Sequence, residues 1–288
     1  RGAVYALVSA FTPSAFFSAA GDRWIVEWNS HSPENGVVVA VTETQIYSLT
    51  TLPGERRRLV AGNMNGGLHW LDLDRPDQER NIQHHQKGVF DLLVAGDRLF
   101  SAGGEGLLSC WDPLTARAVE SLHLSNRSLR VLAYSASRRE LAVGASDGCI
   151  YLLNADTLAL RHTMISAHHP SVFALCYHPA LPCLLSGGRD AFLRIWTLPP
   201  VEDTHSAPVL FAEYPAHLFT INDIVFSPDG RYFATGSRDK TLKIWDATDF
   251  QLVKVADTIR DGGHVNSVNC LLWRHDFLLS DGDDKTIR

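Results

Sequence analysis

The chain has 288 residues, 45% of them apolar and 20% charged, with a formal net charge of -6. This is the composition of a soluble globular protein, and the acidic balance argues against nucleic acid or an anionic membrane as partner. No apolar run reaches the ~18 residues a membrane span requires and no signal peptide opens the chain, so a cytoplasmic protein is expected.

In chain order, short strand patterns recur. A first strand at Ala3–Val8 is followed by a turn at Asp22, and that pairing returns down the chain. Opening strands fall at Val89–Leu93, Val172–Tyr177, Ile221–Phe226 and Val268–Trp273, each four residues after a histidine: His85, His168, His217 or His264. Behind each opening strand comes one phrase, apolar–Ser/Thr–Gly–x–x–Asp–x–x–apolar–x–apolar–Trp. It is clearest at Phe233–Asp246 and Leu185–Trp196. Looser outer strands such as Ala118–His123 and Gln251–Ala256 complete units of four antiparallel strands. Nothing shows a long 3.6-residue period, so helices should be scarce.

Aligned on its acidic position, the phrase occurs at Asp22, Asn65, Glu105, Asp147, Asp190, Asp239 and Asp284, at spacings of 43, 40, 42, 43, 49 and 45. Self-similarity at such a period marks repeated supersecondary units that bury their faces on one another. Four residues before the acid stands Ser18, Ala61, Ser101, Val143, Ser186, Thr235 or Ser280. Six after it stands Trp28, Leu71, Trp111, Leu153, Trp196 or Trp245. Copies two and four are therefore degenerate. The chain stops at Thr286–Arg288, inside the third strand of the seventh copy, and trimming at both termini is the expected reason.

His…Ser/Thr-Gly-x-x-Asp…Trp-Asp at this pitch resembles the WD40 repeat family over essentially the whole chain. The resemblance implies an all-β fold: a single domain over residues 1–288, a seven-bladed β-propeller of four-stranded antiparallel blades, latched by strands from both termini. It also implies a buried network in each blade. An indole only donates, a carboxylate only accepts, and hydroxyl and imidazole do both, so the four can satisfy one another head to tail. The sets carried over are His85-Ser101-Glu105-Trp111, His168-Ser186-Asp190-Trp196 and His217-Thr235-Asp239-Trp245. Two are partial: His264-Ser280-Asp284, and Ser18-Asp22-Trp28. A catalytic Ser-His-Asp triad occurs once in an enzyme, whereas this trio recurs at fixed spacing, which favours a structural role.

In such propellers partners dock on the rim that carries the acidic turns. Two positions per blade face it, and here they supply Tyr5, Tyr47, Phe90, Phe173, Met64, Arg130, Arg189 and Arg238. Aromatics and arginine are enriched at interface hot spots; the competing reading is that the rings pack on neighbouring blades. The expected function is a non-catalytic scaffold for protein or peptide partners. The alternative is a propeller enzyme or small-molecule binder working at the channel mouth. No cofactor or metal is expected. His84-His85 and His168-His169 do not match zinc spacing, and the five cysteines, with no Cys-x-x-Cys pair, read as reduced, mostly buried thiols. Arg56-Arg57-Arg58 reads as a solvated turn. Pro199–Pro208, between the fifth and sixth copies, reads as an exposed loop, since proline cannot pair in a sheet.

Overall fold

Each strand is short because its ends are fixed by local turn chemistry. At the end of the third strand an Asp or Asn side chain accepts a backbone N–H two residues on. Asp112 takes Leu114 at 2.8 Å, Asp246 takes Thr248 at 2.7 Å, and Asn29, Asp72 and Asn154 do the same. Such Asx turns reverse the chain in a few residues. At the matching position of the fifth copy stands Thr197, and there the connection is long: the fourth strand begins only at Val209. Pro199–Pro208 therefore lies within the fifth blade, joining its third and fourth strands, rather than between blades five and six.

The computed structural model describes residues 2–203, 205–275 and 277–288, so Arg1, Thr204 of the proline-rich stretch and Asp276 lie outside the described residues. Two compact units appear, Arg1–Leu129 and Arg130–Arg288. The first holds three four-stranded antiparallel blades. Their strands are Val4–Ser9, Ala15–Ala20, Trp24–Asn29 and Ser32–Val41; then Ile46–Leu52, Arg58–Asn63, Gly67–Asp72 and Arg80–Gln83; then Val89–Ala95, Arg98–Gly103, Leu107–Asp112 and Arg117–His123.

The second unit holds three more such blades and a two-stranded sheet. Blade four begins at Leu129–Ser135 and ends at Leu160–Met164, blade five runs from Val172–Tyr177 to Val209–Tyr214, and blade six from Ile221–Phe226 to Leu252–Ala256. Val268–Arg274 pairs with Phe277–Gly282 in the seventh, which Ile287 joins through a bridge to Asp281. The fold is thus all-β and propeller-type, with six four-stranded blades among the described residues instead of seven. Only Lys285–Arg288 follow the last acidic turn, too few to form two further strands. Helix is scarce: among the described residues it is a 3₁₀ turn at Pro76–Gln78 and one turn at Thr258–Asp261, capped by Asp257.

The second strands are the buried ones. Ala15–Ala20, Glu140–Ala145 and Cys183–Gly188 are buried along their whole length, while fourth strands such as Arg117–His123 face solvent. The glycine of the phrase has a packing reason. A Cβ on Gly187 would lie 2.6 Å from Ile221 of the next blade, and one on Gly236 2.9 Å from Val268. Only a missing side chain lets consecutive blades approach this closely.

Candidate functional site

The recurring polar residues meet inside the blades as one chain of hydrogen bonds. In blade five Trp196 Nε1 donates to Ser186 Oγ at 2.8 Å, Ser186 Oγ lies 2.8 Å from His168 Nε2, and His168 Nδ1 lies 2.9 Å from Asp190. The carboxylate can only accept, so Nδ1 carries the imidazole hydrogen and Nε2 accepts from the serine hydroxyl. Blade six repeats this with Trp245, Thr235, His217 and Asp239 at 3.1, 2.8 and 2.9 Å. In blade three Glu105 reaches His85 at 2.6 Å, and His85, Ser101 and Trp111 complete the set. His264, Ser280 and Asp284 join in the seventh, at 3.0 and 2.9 Å.

Burial pulls the imidazoles of His85, His168 and His217 below their ordinary value, outweighing the opposing pull of the carboxylates. Burial would raise the Asp190 and Asp239 carboxyls, but hydrogen bonds from His168 and Arg194, and from His217 and Thr241, hold both below the usual range. Asp284 is brought to about 2, its burial being overcome by Thr286 and His264. Thr241 and Thr286, each two residues past its acid, were missed by the sequence reading. Each donates its hydroxyl to the carboxylate, at 2.6 and 2.7 Å, and the repeated Asp-Lys-Thr was the available signal.

The remaining blades depart from this pattern. In blade one Trp28 donates to Ser18 at 2.8 Å, and Asp22 accepts the backbone N–H of Gly2 at 3.1 Å in place of a histidine. In blade two the link is Asn63 to His69 at 2.9 Å; the Asn63 carbonyl also takes the N–H of Asn65 and Gly67, so Asn65 is not the side-chain acceptor. In blade four Tyr151 donates to Asp147 at 2.9 Å. Buried Glu140 there holds Arg138 and Arg161, each at 3.0 Å, and accepts from Tyr177 of the next blade at 3.1 Å.

These geometries bear on chemistry. Ser186 and Ser101 have no exposed surface and their oxygens already serve an indole, so they cannot reach a scissile carbonyl as a triad serine must. Gly144-Ala145-Ser146-Asp147-Gly148 does spell the G-x-S-x-G spacing of a hydrolase elbow. That element needs a helix after the serine, whereas here the strand Ile150–Asn154 follows and Ser146 Oγ accepts from Arg130 Nε at 2.9 Å. No group of three or more His, Cys, Asp or Glu suited to a metal ion occurs among the described residues.

At the acidic-turn end of the first unit, Tyr5 meets Tyr47 edge-on at 5.6 Å and Tyr47 stacks on Phe90 at 5.5 Å. Gly104 leaves room for the Phe90 ring, since a Cβ there would sit 3.0 Å from it. Met64 is 40% exposed. In the second unit Arg130 lies over the Phe173 ring at 5.4 Å, and Arg189 and Arg238 are exposed.

The comparisons agree with the repeat. The WD domain, G-beta repeat family profile matches residues 159–197 and 209–246, which contain the His–hydroxyl–Asp–Trp networks of blades five and six. This chain is a WD40-repeat protein. Similar WD40 proteins include WD repeat-containing protein SL1-17 of Schistosoma mansoni, 28% identical over 69% of this chain and 64% of that one. The human serine-threonine kinase receptor-associated protein is 24% identical over 85% of this chain and 67% of its own length. Protein tipD of Dictyostelium discoideum is 22% identical over 94% of this chain but 44% of its own. The chain thus spans less than two thirds of the first of these relatives. No helix among the described residues is long and apolar enough to cross a membrane.

Proposed function

We propose that this WD40 protein is a non-catalytic scaffold, part of a seven-bladed array, that docks protein or peptide partners on the ends of its blades that carry the acidic turns. The repeat period runs unbroken through Leu129 and Arg130, which supports one array over the 288 residues. The observation that carries the docking reading is the row Tyr5–Tyr47–Phe90, whose partly exposed rings meet edge-on at Tyr5–Tyr47 and stack at Tyr47–Phe90, a continuous aromatic row in the unit that also exposes Met64. Rigid aromatics lose little entropy when a partner covers them. In the second unit Arg130, Arg189 and Arg238, with Phe173, suit a partner carrying an acidic group. The human relative's name describes association with a kinase receptor, itself a protein, in keeping with this reading. All five cysteines are free thiols, and burial pushes Cys176 up to about 12, which suits a reducing compartment such as the cytoplasm.

The test is quantitative affinity capture with wild type, Phe90→Ala and Arg189→Ala, using Val253→Ala on an exposed outer strand as control. A set of proteins retained by wild type and the control but lost from both end-of-blade variants, at unchanged melting temperature, is the expected result. Retention of the same set by all four proteins would overturn the assignment.

A further inference from the structure

In the second unit the buried networks fix large apolar side chains on the outside. The Leu218 N–H of blade six donates to Asp239 at 3.0 Å, and the Val265 N–H of blade seven donates to Asp284 at 3.0 Å. Tying these amides to the network carboxylates sets the turn after each entry histidine and leaves its side chains in solvent. Leu218 is 84% exposed, its neighbour Phe219 58% and Val265 51%. In blade five the same bond, at 3.1 Å, holds the polar and exposed His169, so the turn itself does not call for apolar groups. Blades six and seven meet beside these turns, where Asn222 Nδ2 donates to Ser267 Oγ at 3.0 Å and to Val268 O at 2.7 Å. Neighbouring apolar side chains left exposed in this way mark an interaction surface.

The charges at the same place are sorted by sign. Ser237 Oγ donates to Phe219 O at 3.1 Å and Arg238 N to Thr220 O at 2.9 Å, which sets Arg238 and Lys240 at the end of the blade that carries Leu218 and Phe219. Asp283 N donates to Ser267 O at 3.1 Å and sets Lys285 with Val265 in the same way. Arg238, Lys240 and Lys285 are exposed, and none has a carboxylate partner among the described residues. The carboxylates are committed elsewhere. Asp239 and Asp284 turn inward to their histidines, with side chains only 6% and 3% exposed. Asp283 accepts from Asn269 Nδ2 at 2.9 Å, while Asp257 and Asp261 face Arg260 and Lys254. What an approaching molecule meets is therefore apolar and cationic, in a chain of formal net charge -6.

We propose that the acidic-turn ends of blades six and seven bind a short acidic peptide segment carrying a bulky apolar side chain. That side chain lies on Leu218, Phe219 and Val265, while flanking carboxylates meet Arg238, Lys240 and Lys285. The proposal rests on the docking reading and names the chemistry of the partner for this part of it. An anionic bilayer matches the same signs, but it extends past these residues and meets the rest of an acidic chain, whereas a short segment meets the cations alone. The bonds from Leu218 and Val265 to the networks hold the surface in its binding conformation, so little freedom is lost when a partner covers it.

The probe is the capped hexapeptide EEFLEE, titrated into the protein by calorimetry, with KKFLKK and EESGEE as controls for charge and for apolar contact. Saturable binding of EEFLEE to wild type is expected, with each control at least about tenfold weaker, the scale of one large apolar side chain or one charge-assisted contact. Leu218→Ser and Arg238→Glu should each weaken EEFLEE by a similar factor, whereas Val253→Ala should not. Both side chains are exposed, so the melting temperature should stay unchanged in either variant. No binding by wild type, equal binding of either control peptide, or full binding by Leu218→Ser or Arg238→Glu would each overturn the proposal. Cosedimentation of wild type with phosphatidylserine vesicles, lost in both variants, would overturn it in favour of a membrane. Failure here is distinguishable from failure of the docking reading. Partners lost from Phe90→Ala and Arg189→Ala, with no peptide bound, would leave that reading standing and remove this one.

Discussion

The two units satisfy the same buried polar positions with different side chains. Among the four sheets of the second, His168, His217 and His264 each bridge a hydroxyl and an aspartate. Blade four replaces that network with Tyr151–Asp147 and the Glu140 cluster. In the first unit the network is complete only in blade three, and with Glu105; blade one uses a backbone N–H and blade two an Asn63–His69 pair. What these network positions require is that their own donors and acceptors find partners. The identity of the four residues is one solution among several.

Substitution can break this equivalence, beginning where most partners depend on one group. Glu140→Ala strands two arginines and a tyrosine that share one buried carboxylate, so a loss of about 3–5 kcal/mol is expected, read from denaturant unfolding. A smaller penalty than for any single network aspartate would show that the cluster does not substitute for the missing network in blade four.

Next comes the contrast within the repeat itself. Asp239→Ala removes the acceptor of His217, Thr241 and the Leu218 N–H, and should destabilise by about 3 kcal/mol. Asp22→Ala removes backbone contacts that water can replace at a half-exposed site and should cost under about 1 kcal/mol. Equal shifts in melting temperature would dissolve the distinction between the units.

One further effect has the opposite sign. Asp281 stands where the other blades carry Gly or Ala. It is fully buried, and its Oδ2 has no hydrogen-bond partner among the described residues. Burial pushes its carboxyl well above 3.8, and the nearby Asp223, itself raised by burial to about 6, adds to the effect. A raised carboxyl binds its proton more tightly when folded, so these two groups favour the fold at acid pH. Their contribution is lost as pH climbs past the unfolded value of 3.8. Asp281→Asn, which cannot ionise, should gain roughly 1 kcal/mol over wild type at pH 8, with the advantage fading toward pH 4. A gain that does not vary with pH would show that ionisation of Asp281 is not its source.

Legibility followed how local each feature is. The acid-to-tryptophan spacing was readable because both ends lie on one hairpin, and Asp190 with Trp196 is the plain case. Asn63–His69 was not, because the eye follows the acidic register to Asn65 while the side chain that accepts is two residues earlier. The contact of Arg58 with blade three was invisible for a different reason: Arg56-Arg57-Arg58 reads as a solvated turn, yet Arg58 Nη1 donates to the Pro113 carbonyl, 55 residues away in sequence.

By itself the sequence determined the strand period, the turn chemistry and the residue types able to pair, since these depend on neighbours a few bonds away. Tertiary structure alone decided which buried polar atoms end without partners and which rings stack. Those outcomes depend on how closely separate blades approach, and at Gly187 and Gly236 a missing side chain permits that approach.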